Sequence, residues 1–422
     1  MKDFLKHYQI GCWFYKNTEV DLGYDPIKAQ KDAGFTFATV PEHWRYAPGN
    51  RTEQRMDEYI ARAKELNMPV LYQDANLMPL NRYASATPEK AKERLHFIKE
   101  RYGDAITSVF LVDEPWWSYQ DEGKSLAKCK EYSEYVRDIT PEYWPFIALL
   151  SGPKARWDYD FEVLCNYMDT VKPEVLLYNV YSQCMAEENE KEQGVINFFY
   201  QLNLFSEIAK KYNVPLWASL FITSCWVFRI PNQMDFRWQL NMCAAHGVKG
   251  FVWYHFQQNL DVAGKNGSCP IDAFGERSEL FYPLAFENKA FMANVADKLE
   301  GYELEEVYHY YQRYGNFKMW EYSHDEIIED VKSQYNRTLI ISRFKASDGS
   351  GRQKVMITNF SRTENGHFDI KFKGEYAKYN QGGYSGYLGP AAAKIINLFD
   401  GDEPRKTERF DVDKPDEDQR LN

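Results

Sequence analysis

The chain has 422 residues, enough for one barrel of about 250 residues or more with an appended domain. Its 62 Asp and Glu residues outnumber its 51 Lys and Arg residues, and the formal net charge of -11 argues against nonspecific binding to nucleic acid or to anionic membrane surfaces. No apolar run approaches the roughly 20 residues that span a bilayer, whereas 31 Tyr, 27 Phe and 11 Trp suit a protein that stacks rings against sugars or peptides.

Apolar runs and amphipathic stretches alternate along the first 300 residues. The predicted strands are residues 9–15, 35–41, 68–74, 107–114, 145–151, 175–181, 215–222 and 250–256. The predicted helices are residues 25–33, 51–66, 87–102, 123–139, 159–171, 192–212, 232–246 and 285–299. Eight strand–helix units in succession predict an α/β fold, the (β/α)8 TIM barrel. A doubly wound open sheet is the alternative, but no GxGxxG motif follows any strand, which weakens its dinucleotide-binding form.

The pattern changes near residue 301, where short alternating segments separated by Gly, Asn and Ser turns begin. These segments lie at residues 308–320, 338–346, 354–360 and 367–372. We predict a catalytic barrel at residues 1–301, a small antiparallel β domain at 302–400 that supports it, and a loosely held charged tail at 401–422.

Seven cysteines are scattered without a CxxC motif, which indicates reduced, mostly buried thiols and neither a disulfide scaffold nor a zinc site. The first residues lack the apolar centre of a signal peptide. We therefore expect a soluble protein that is cytoplasmic, or periplasmic or extracellular if a signal peptide has been removed. The oligomeric state is left open.

Catalytic groups of (β/α)8 barrels lie at the C-terminal ends of the strands. Polar side chains and large rings collect at the predicted ends, and we take eight of them as substrate-binding candidates: Trp13, Glu42, Asp74, Trp116, Tyr178, Tyr181, Trp253 and His255. Asp74 and Glu42 are also typical salt-bridge partners, and Trp13 and Trp253 also suit a core. His43 and His255 are possible metal ligands, but the first strand has no His-x-His, so we expect neither a metal nor another cofactor.

The most informative segment is residues 108–117, a buried strand that ends in Asp113 and Glu114 and is followed by Pro115 and two tryptophans. Pro115 disfavours the right-handed helical region for the residue before it, which predicts an extended Glu114. Beside Trp116, Glu114 should hold its proton near neutral pH and act as a general acid on a glycosidic bond. Adjacent residues of a regular strand point to opposite faces, so Asp113 and Glu114 share a pocket only if the strand end twists or bulges.

Most glycosidases use two carboxylates, and many retaining barrel enzymes carry the second at the end of strand 7. Residues 216–223 contain no acid. Three possibilities are left open: a carboxylate from another strand (Asp74 or Glu42), an inverting arrangement, or no nucleophile from the protein.

The Asp113-Glu114-Pro115 sequence at a strand end resembles the substrate-assisted hexosaminidases of glycoside hydrolase family 123 and, more distantly, family 20. The resemblance implies that the substrate is a 2-acetamido sugar whose amide oxygen attacks the anomeric carbon. It implies that Asp113 orients the acetamido group, Glu114 protonates the leaving oxygen, and Tyr181 bonds the acetamido oxygen. The alternatives are a two-carboxylate glycosidase acting on a non-acetamido glycan, a non-catalytic carbohydrate-binding barrel, and a metal-dependent hydrolase.

Overall fold

A computed structural model of the chain describes residues 4–16, 22–43, 51–80, 86–115, 122–150, 161–225, 227–258 and 267–399. Contacts divide the chain into two compact units, Met1–Pro231 with Val248–Tyr282 and Asn232–Gly247 with Pro283–Asn422. The second unit thus contains a helix near residue 240 that the sequence pattern predicts as part of the barrel. The domain boundary at residue 301 stays a prediction, and the tail at 401–422 lies outside the described residues.

The first unit contains a sheet of eight parallel strands. They are β1 (Gln9–Cys12), β2 (Ala38–Thr39), β3 (Val70–Tyr72), β4 (Ile106–Asp113), β5 (Trp144–Leu150), β6 (Leu176–Asn179), β7 (Leu216–Phe221) and β8 (Val248–Tyr254). Their order is β1-β8-β7-β6-β5-β4-β3-β2. Thr36 bridges β1 to the chain leading into β2, because its backbone N–H donates to the Ile10 carbonyl at 2.7 Å and its hydroxyl accepts from the Ile10 N–H at 2.9 Å. The predicted (β/α)8 barrel is confirmed.

The helices follow the predicted ranges within a few residues. They are α1 (Pro26–Asp32), α2 (Arg51–Glu65), α3 (Pro88–Tyr102), α4 (Glu122–Ile139), α5 (Phe161–Val171), α6 (Glu188–Tyr212), α7 (Gln233–Ala245) and α8 (Phe281–Phe291), which continues through a π-helical turn Met292–Ala296 into α9 (Asp297–Leu299). Asp25 and Thr87 cap α1 and α3 through their side chains, each before a proline in the first turn. Asn232 and Asp235 form a capping box at the start of α7. These local signals explain why the helix starts are readable from sequence.

Aromatic rings fill the barrel interior. Trp217 lies 5.4 Å from Trp144 between ring centroids, in an edge-to-face arrangement. Gly250 on the neighbouring strand makes room for this ring, because a Cβ there would lie 1.9 Å from Trp217. Gly11 does the same for Phe37, at 2.1 Å. The interior is thus a packed core. In barrel enzymes the active site lies at the mouth, the opening formed by the C-terminal ends of the strands.

The second unit contains two sheets that share one hydrophobic core. The first has the order β10-β9-β12-β13-β16 and the second β11-β14-β15. The strands are β9 (Tyr302–Tyr310), β10 (Lys318–Met319), β11 (Ile328–Ser333), β12 (Leu339–Ala346), β13 (Gln353–Asn359), β14 (Gly366–Phe372), β15 (Gly383–Leu388) and β16 (Ala393–Leu398). Within this unit, all described strand pairings are antiparallel except the short β9–β10 pairing. The predicted β domain is confirmed.

A pair of buried histidines joins α7 to β9 within the second unit. The Nε2 atoms of His246 and His309 lie 3.0 Å apart. His246 Nδ1 lies 2.7 Å from the Met242 carbonyl and must donate to it, whereas His309 Nδ1 accepts from the Tyr314 N–H. Both rings are therefore neutral, with His309 donating to His246. Burial lowers the pKa of His246 to about 4. Burial also lowers the pKa of His309, and repulsion from Arg313 and from His246 in its protonated form acts in the same direction.

Acidification is expected to weaken the second unit between about pH 6.5 and pH 4. A histidine whose folded pKa lies below its unfolded value of about 6.5 takes up a proton on unfolding, so its stabilisation is present above pH 6.5 and is lost as pH falls towards 4. Amide hydrogen exchange in α7, corrected for intrinsic rates, measures this free energy against pH. His246→Gln should reduce proton uptake on unfolding by up to about one proton. An unchanged pH slope in this variant contradicts the prediction.

All seven cysteines are buried free thiols, as the sequence predicts. Within the described ranges, no helix has the length and apolar character needed to cross a bilayer.

Candidate active site

Because of a register shift in β4, the Asp113 side chain faces the mouth of the barrel. In the pairing of β4 with β5, Phe110 lies opposite Phe146 and Val112 opposite Ile147, so one residue of β4 is extra. Asp113 consequently pairs with Ala148, whose side chain belongs to the barrel interior. The bulge that the sequence requires for a shared pocket is present, and it reverses which residues of β4 face inward.

Glu114 has a left-handed backbone with a φ of 51°, so the prediction of an extended residue is wrong. Pro115 disfavours the right-handed helical region, and Glu114 avoids that region by adopting the left-handed conformation instead of the extended one. The Glu114 N–H still donates to the Ala148 carbonyl at 2.8 Å, which continues the pairing with β5. This uncommon conformation brings the Glu114 side chain to the same side as Asp113.

Asn179 at the end of β6 binds both carboxyl groups. Its Nδ2 donates to Asp113 Oδ1 at 3.1 Å and to Glu114 Oε1 at 2.8 Å, so these two oxygens lie within about 6 Å of each other. Burial and the Glu114 charge raise the pKa of Asp113 well above its usual value, and hydrogen bonds from Asn179 and Tyr15 offset part of this. The pair therefore holds one proton at a pH where two isolated carboxyl groups would both be ionised.

Three tyrosines surround the carboxyl pair. The ring centroids of Tyr15 and Tyr181 lie 5.8 Å and 5.2 Å from that of Tyr254. Burial, followed by the charges of Asp113 and Glu114 among others, raises the pKa of all three phenols, so their hydroxyls are donors at neutral pH.

Ser219 of β7 connects Tyr181 to Trp13 through hydrogen bonds. Its hydroxyl lies 2.9 Å from the Tyr181 hydroxyl and accepts from Trp13 Nε1 at 2.7 Å. Trp13 is 1% exposed and stacks at 5.9 Å beneath Tyr15, so it supports the mouth from below. His255 is fully buried behind Tyr15, with ring centroids 5.8 Å apart, and its Nε2 lies 3.7 Å from Cys269 Sγ. Trp13 and His255 are therefore supporting residues and not exposed sugar platforms.

Two predicted substrate residues point away from the mouth. Tyr178 stacks on Phe205 of α6, with ring centroids 4.2 Å apart, and so faces the helix layer. Trp253 is fully buried and lies between Val252 and Tyr254, which both pack with the barrel interior, so alternation places Trp253 on the outer face. The correct inward residues, Asn179 and Tyr254, are their immediate neighbours in sequence. Trp116 lies outside the described residues.

Asp74 belongs to a buried ion cluster, which we define as His43, Glu53, Asp74 and Arg94. Asp74 Oδ2 accepts from Arg94 Nε at 2.5 Å and lies 3.5 Å from His43 Nδ1. Glu53 Oε1 completes the cluster, 2.8 Å from His43 Nε2 and 2.6 Å from Arg94 Nη1. Burial alone would raise the pKa of Asp74, but Arg94 and His43 hold it at about 2. Because Asp74 is 0% exposed and paired in this way, it cannot meet a substrate.

Glu42, next to this cluster, behaves differently. Burial and the Asp74 charge raise its pKa to about 7, with His43 acting in the opposite direction. A carboxyl group that titrates near neutral pH is suited to proton transfer, so Glu42 stays a candidate for the second carboxylate.

Neither histidine considered as a metal ligand has a ligand-like setting, since His43 is held by the ion cluster and His255 by Cys269 and Tyr15. In the part of the chain that the structure describes, no group of three or more His, Cys, Asp and Glu residues is arranged to hold a metal ion.

Opposite shifts are expected for the pKa of Asp113 in two variants. Glu114→Gln should lower it, because the neighbouring negative charge is removed. Asn179→Ala should raise it, because a donor that favours the charged form is lost. Titration of ¹³C-labelled aspartate carboxyl groups by NMR measures both, with Glu100→Gln on the surface of α3 as a control. Shifts of the same sign in the two variants would refute this geometry.

No protein-family model matches the sequence, and no curated protein sequence matches it. Solved structures do. A β-galactosidase from Rahnella sp. R3 matches with a TM-score of 0.52 at 11% identity, over 72% of this chain and 58% of that one. A β-galactosidase from Marinomonas ef1 has a TM-score of 0.52 at 12% identity, over 69% and 61%. The chain therefore shares its fold with these two β-galactosidases.

A glucosidase from Croceicoccus marinus matches over a larger share of both chains, 85% of this one and 76% of that one, with a TM-score of 0.51 at 10% identity. By contrast, the chain covers less than two thirds of either β-galactosidase. At such low identities these similarities concern the fold alone.

Proposed function

We propose that the protein is a glycoside hydrolase whose reaction takes place at Asp113 and Glu114. The observation that carries the proposal is the pair of carboxyl groups held by one amide, Asn179, at the mouth of a (β/α)8 barrel. The fold it shares with two β-galactosidases and a glucosidase supports this class of reaction.

Glu114 is the general acid in this proposal. The bond between the anomeric carbon and the leaving oxygen breaks as Glu114 transfers its proton to that oxygen. The single proton shared by the pair makes this possible. A substrate N–H that donates to Asp113 favours the ionised form of Asp113, and the proton then resides on Glu114.

The nucleophile in the favoured version is the substrate's own 2-acetamido group, because β7 carries no acid. The amide oxygen attacks the anomeric carbon and forms a cyclic oxazolinium ion. Asp113 accepts a hydrogen bond from the acetamido N–H and stabilises the positive charge of the oxazolinium ion. Tyr181 donates a hydrogen bond to the acetamido oxygen. Water then opens the ring and gives its proton to Glu114. The Tyr181 hydroxyl is hydrogen-bonded to Ser219 and interacts electrostatically with both carboxyl groups. This position supports its role.

The raised pKa of Glu42 favours a second version, in which Glu42 and Glu114 act as two carboxylates on a glycan without an acetamido group. The two versions differ in what the substrate must carry.

A panel of chromogenic β-N-acetylgalactosaminide, β-N-acetylglucosaminide and the matching galactoside and glucoside tests the proposal. Release from acetamido sugars alone, reduced in Tyr181→Phe, supports substrate assistance. Release from the plain glycosides, lost in Glu42→Gln, supports the two-carboxylate version. Binding of these sugars without release from any of them contradicts a hydrolase and favours a carbohydrate-binding barrel.

A further inference from the structure

The second unit contains a cavity of about 380 Å³ beside strands β15 and β16 and the segment 374–382 that precedes β15. A cavity of this size is within the range of small-ligand sites. Its lining residues include Lys378, Tyr379, Tyr384, Lys394 and Phe399, and none of its described lining residues is acidic. That composition contrasts with a chain whose formal net charge is -11.

The two lysines are placed over aromatic rings of the same cavity. Lys394 Nζ lies 5.4 Å from the centroid of Tyr384, and Lys378 Nζ lies 4.9 Å from that of Tyr379. The Tyr384 ring is itself held by stacking on Phe368 of the core, 5.9 Å away. The cavity thus combines aromatic rings, one of them held by stacking, with two ammonium groups.

The edge of a sheet supplies further polar groups. Among the described residues, β16 is the last strand of its sheet, and Asn380 Nδ2 donates to the Asn397 carbonyl at 3.0 Å. That carbonyl therefore points away from β13, and by alternation the backbone N–H and C=O of Ile395 point to the same side. Both residues line the cavity. Because the Asn397 carbonyl already accepts from Asn380, the backbone N–H and C=O of Ile395 are the groups of this wall that suit hydroxyl groups.

We propose that this cavity binds a saccharide that carries a carboxylate or sulfate group. The rings provide flat apolar surfaces for a sugar, the edge of β16 provides hydrogen bonds to its hydroxyls, and Lys378 and Lys394 bind the anion. The choice of a saccharide over another anion rests on the proposed function, because a glycosidase encounters such chains. The cavity lies in the second unit and adds a binding site separate from Asp113 and Glu114.

Calorimetric titration of the full chain carrying Glu114→Gln, which prevents turnover, tests this inference. The probes are trigalacturonate, its fully methyl-esterified form and a sulfated galactotriose. We expect binding of at least one charged probe, not of the ester, and weaker binding at high salt. Adding Lys378→Gln and Lys394→Gln should weaken it by about tenfold to a hundredfold, as expected for lost charge-assisted hydrogen bonds.

Lys371→Gln, an exposed lysine of β14 outside the cavity, is the matched control and should bind as the parent does. Equal binding of the ester, no binding of either charged probe, or unchanged binding in the double lysine variant would overturn the inference. Chromogenic hydrolysis by the lysine variants in the wild-type background separates it from the proposed function. That activity should persist when the charged probe no longer binds.

Discussion

With Glu114 as the proposed general acid, Glu114→Gln is expected to reduce turnover by about 10²- to 10⁴-fold, because an amide has no acidic proton to give to the leaving oxygen. The substitution keeps the shape of the side chain and a partner for Asn179, so the fold should be retained and KM should change little. Steady-state kinetics with a methylumbelliferyl glycoside from the active class of sugars measures the loss.

A comparison of two leaving groups provides a second test of this role of Glu114. A dinitrophenolate leaves without protonation, so the dinitrophenyl glycoside should lose much less activity in Glu114→Gln than the methylumbelliferyl glycoside. Glu100→Gln, on the exposed surface of α3, should act as the wild type does. Equal losses for both leaving groups would mean that Glu114 is not the general acid.

Arg94→Met is expected to lower the free energy of unfolding of the barrel by about 3–5 kcal/mol. Arg94 pairs with both Asp74 and Glu53, and its loss leaves the fully buried Asp74 carboxylate without its main counter-charge. His43, at 3.5 Å, compensates only in part. Urea denaturation followed by tryptophan fluorescence measures the change.

The same helix provides a matched control. Arg101 pairs with Asp57 at the surface, where water screens the ion pair, so Arg101→Met should lower the free energy of unfolding far less than Arg94→Met does. The double variant Arg94→Met with Asp74→Asn should recover part of the loss, because the buried charge is removed together with its partner. If Arg94→Met costs no more than Arg101→Met, the buried ion cluster has no special role in stability.

The barrel was predictable because its signals are local. Each strand is a short apolar run, each helix an amphipathic stretch with a cap, and these periods depend on neighbouring residues alone. Strands β11, β15 and β16 of the second unit were missed. In β11 and β15, charged residues, Gly and Ser occupy the exposed face of a sheet edge, so little in the sequence marks a strand.

The candidate site was predictable only in part. Asp113 and Glu114 stand out because two carboxyl groups end a buried strand before a proline. Tyr178 and Trp253 are predicted as substrate-binding residues in place of their neighbours Asn179 and Tyr254. A strand buried on both faces has no polar alternation to show which residues point inward.

The sequence by itself determined the order of strands and helices, the ends at which polar groups collect, and the carboxyl pair at β4, because each depends on composition and spacing along the chain. Only the tertiary structure decided that a bulge and a left-handed Glu114 bring both carboxyl groups to Asn179. It alone paired Asp74 with Arg94 and His43. The physical reason is that strand register and the pairing of buried charges depend on contacts between distant residues, which no local pattern records.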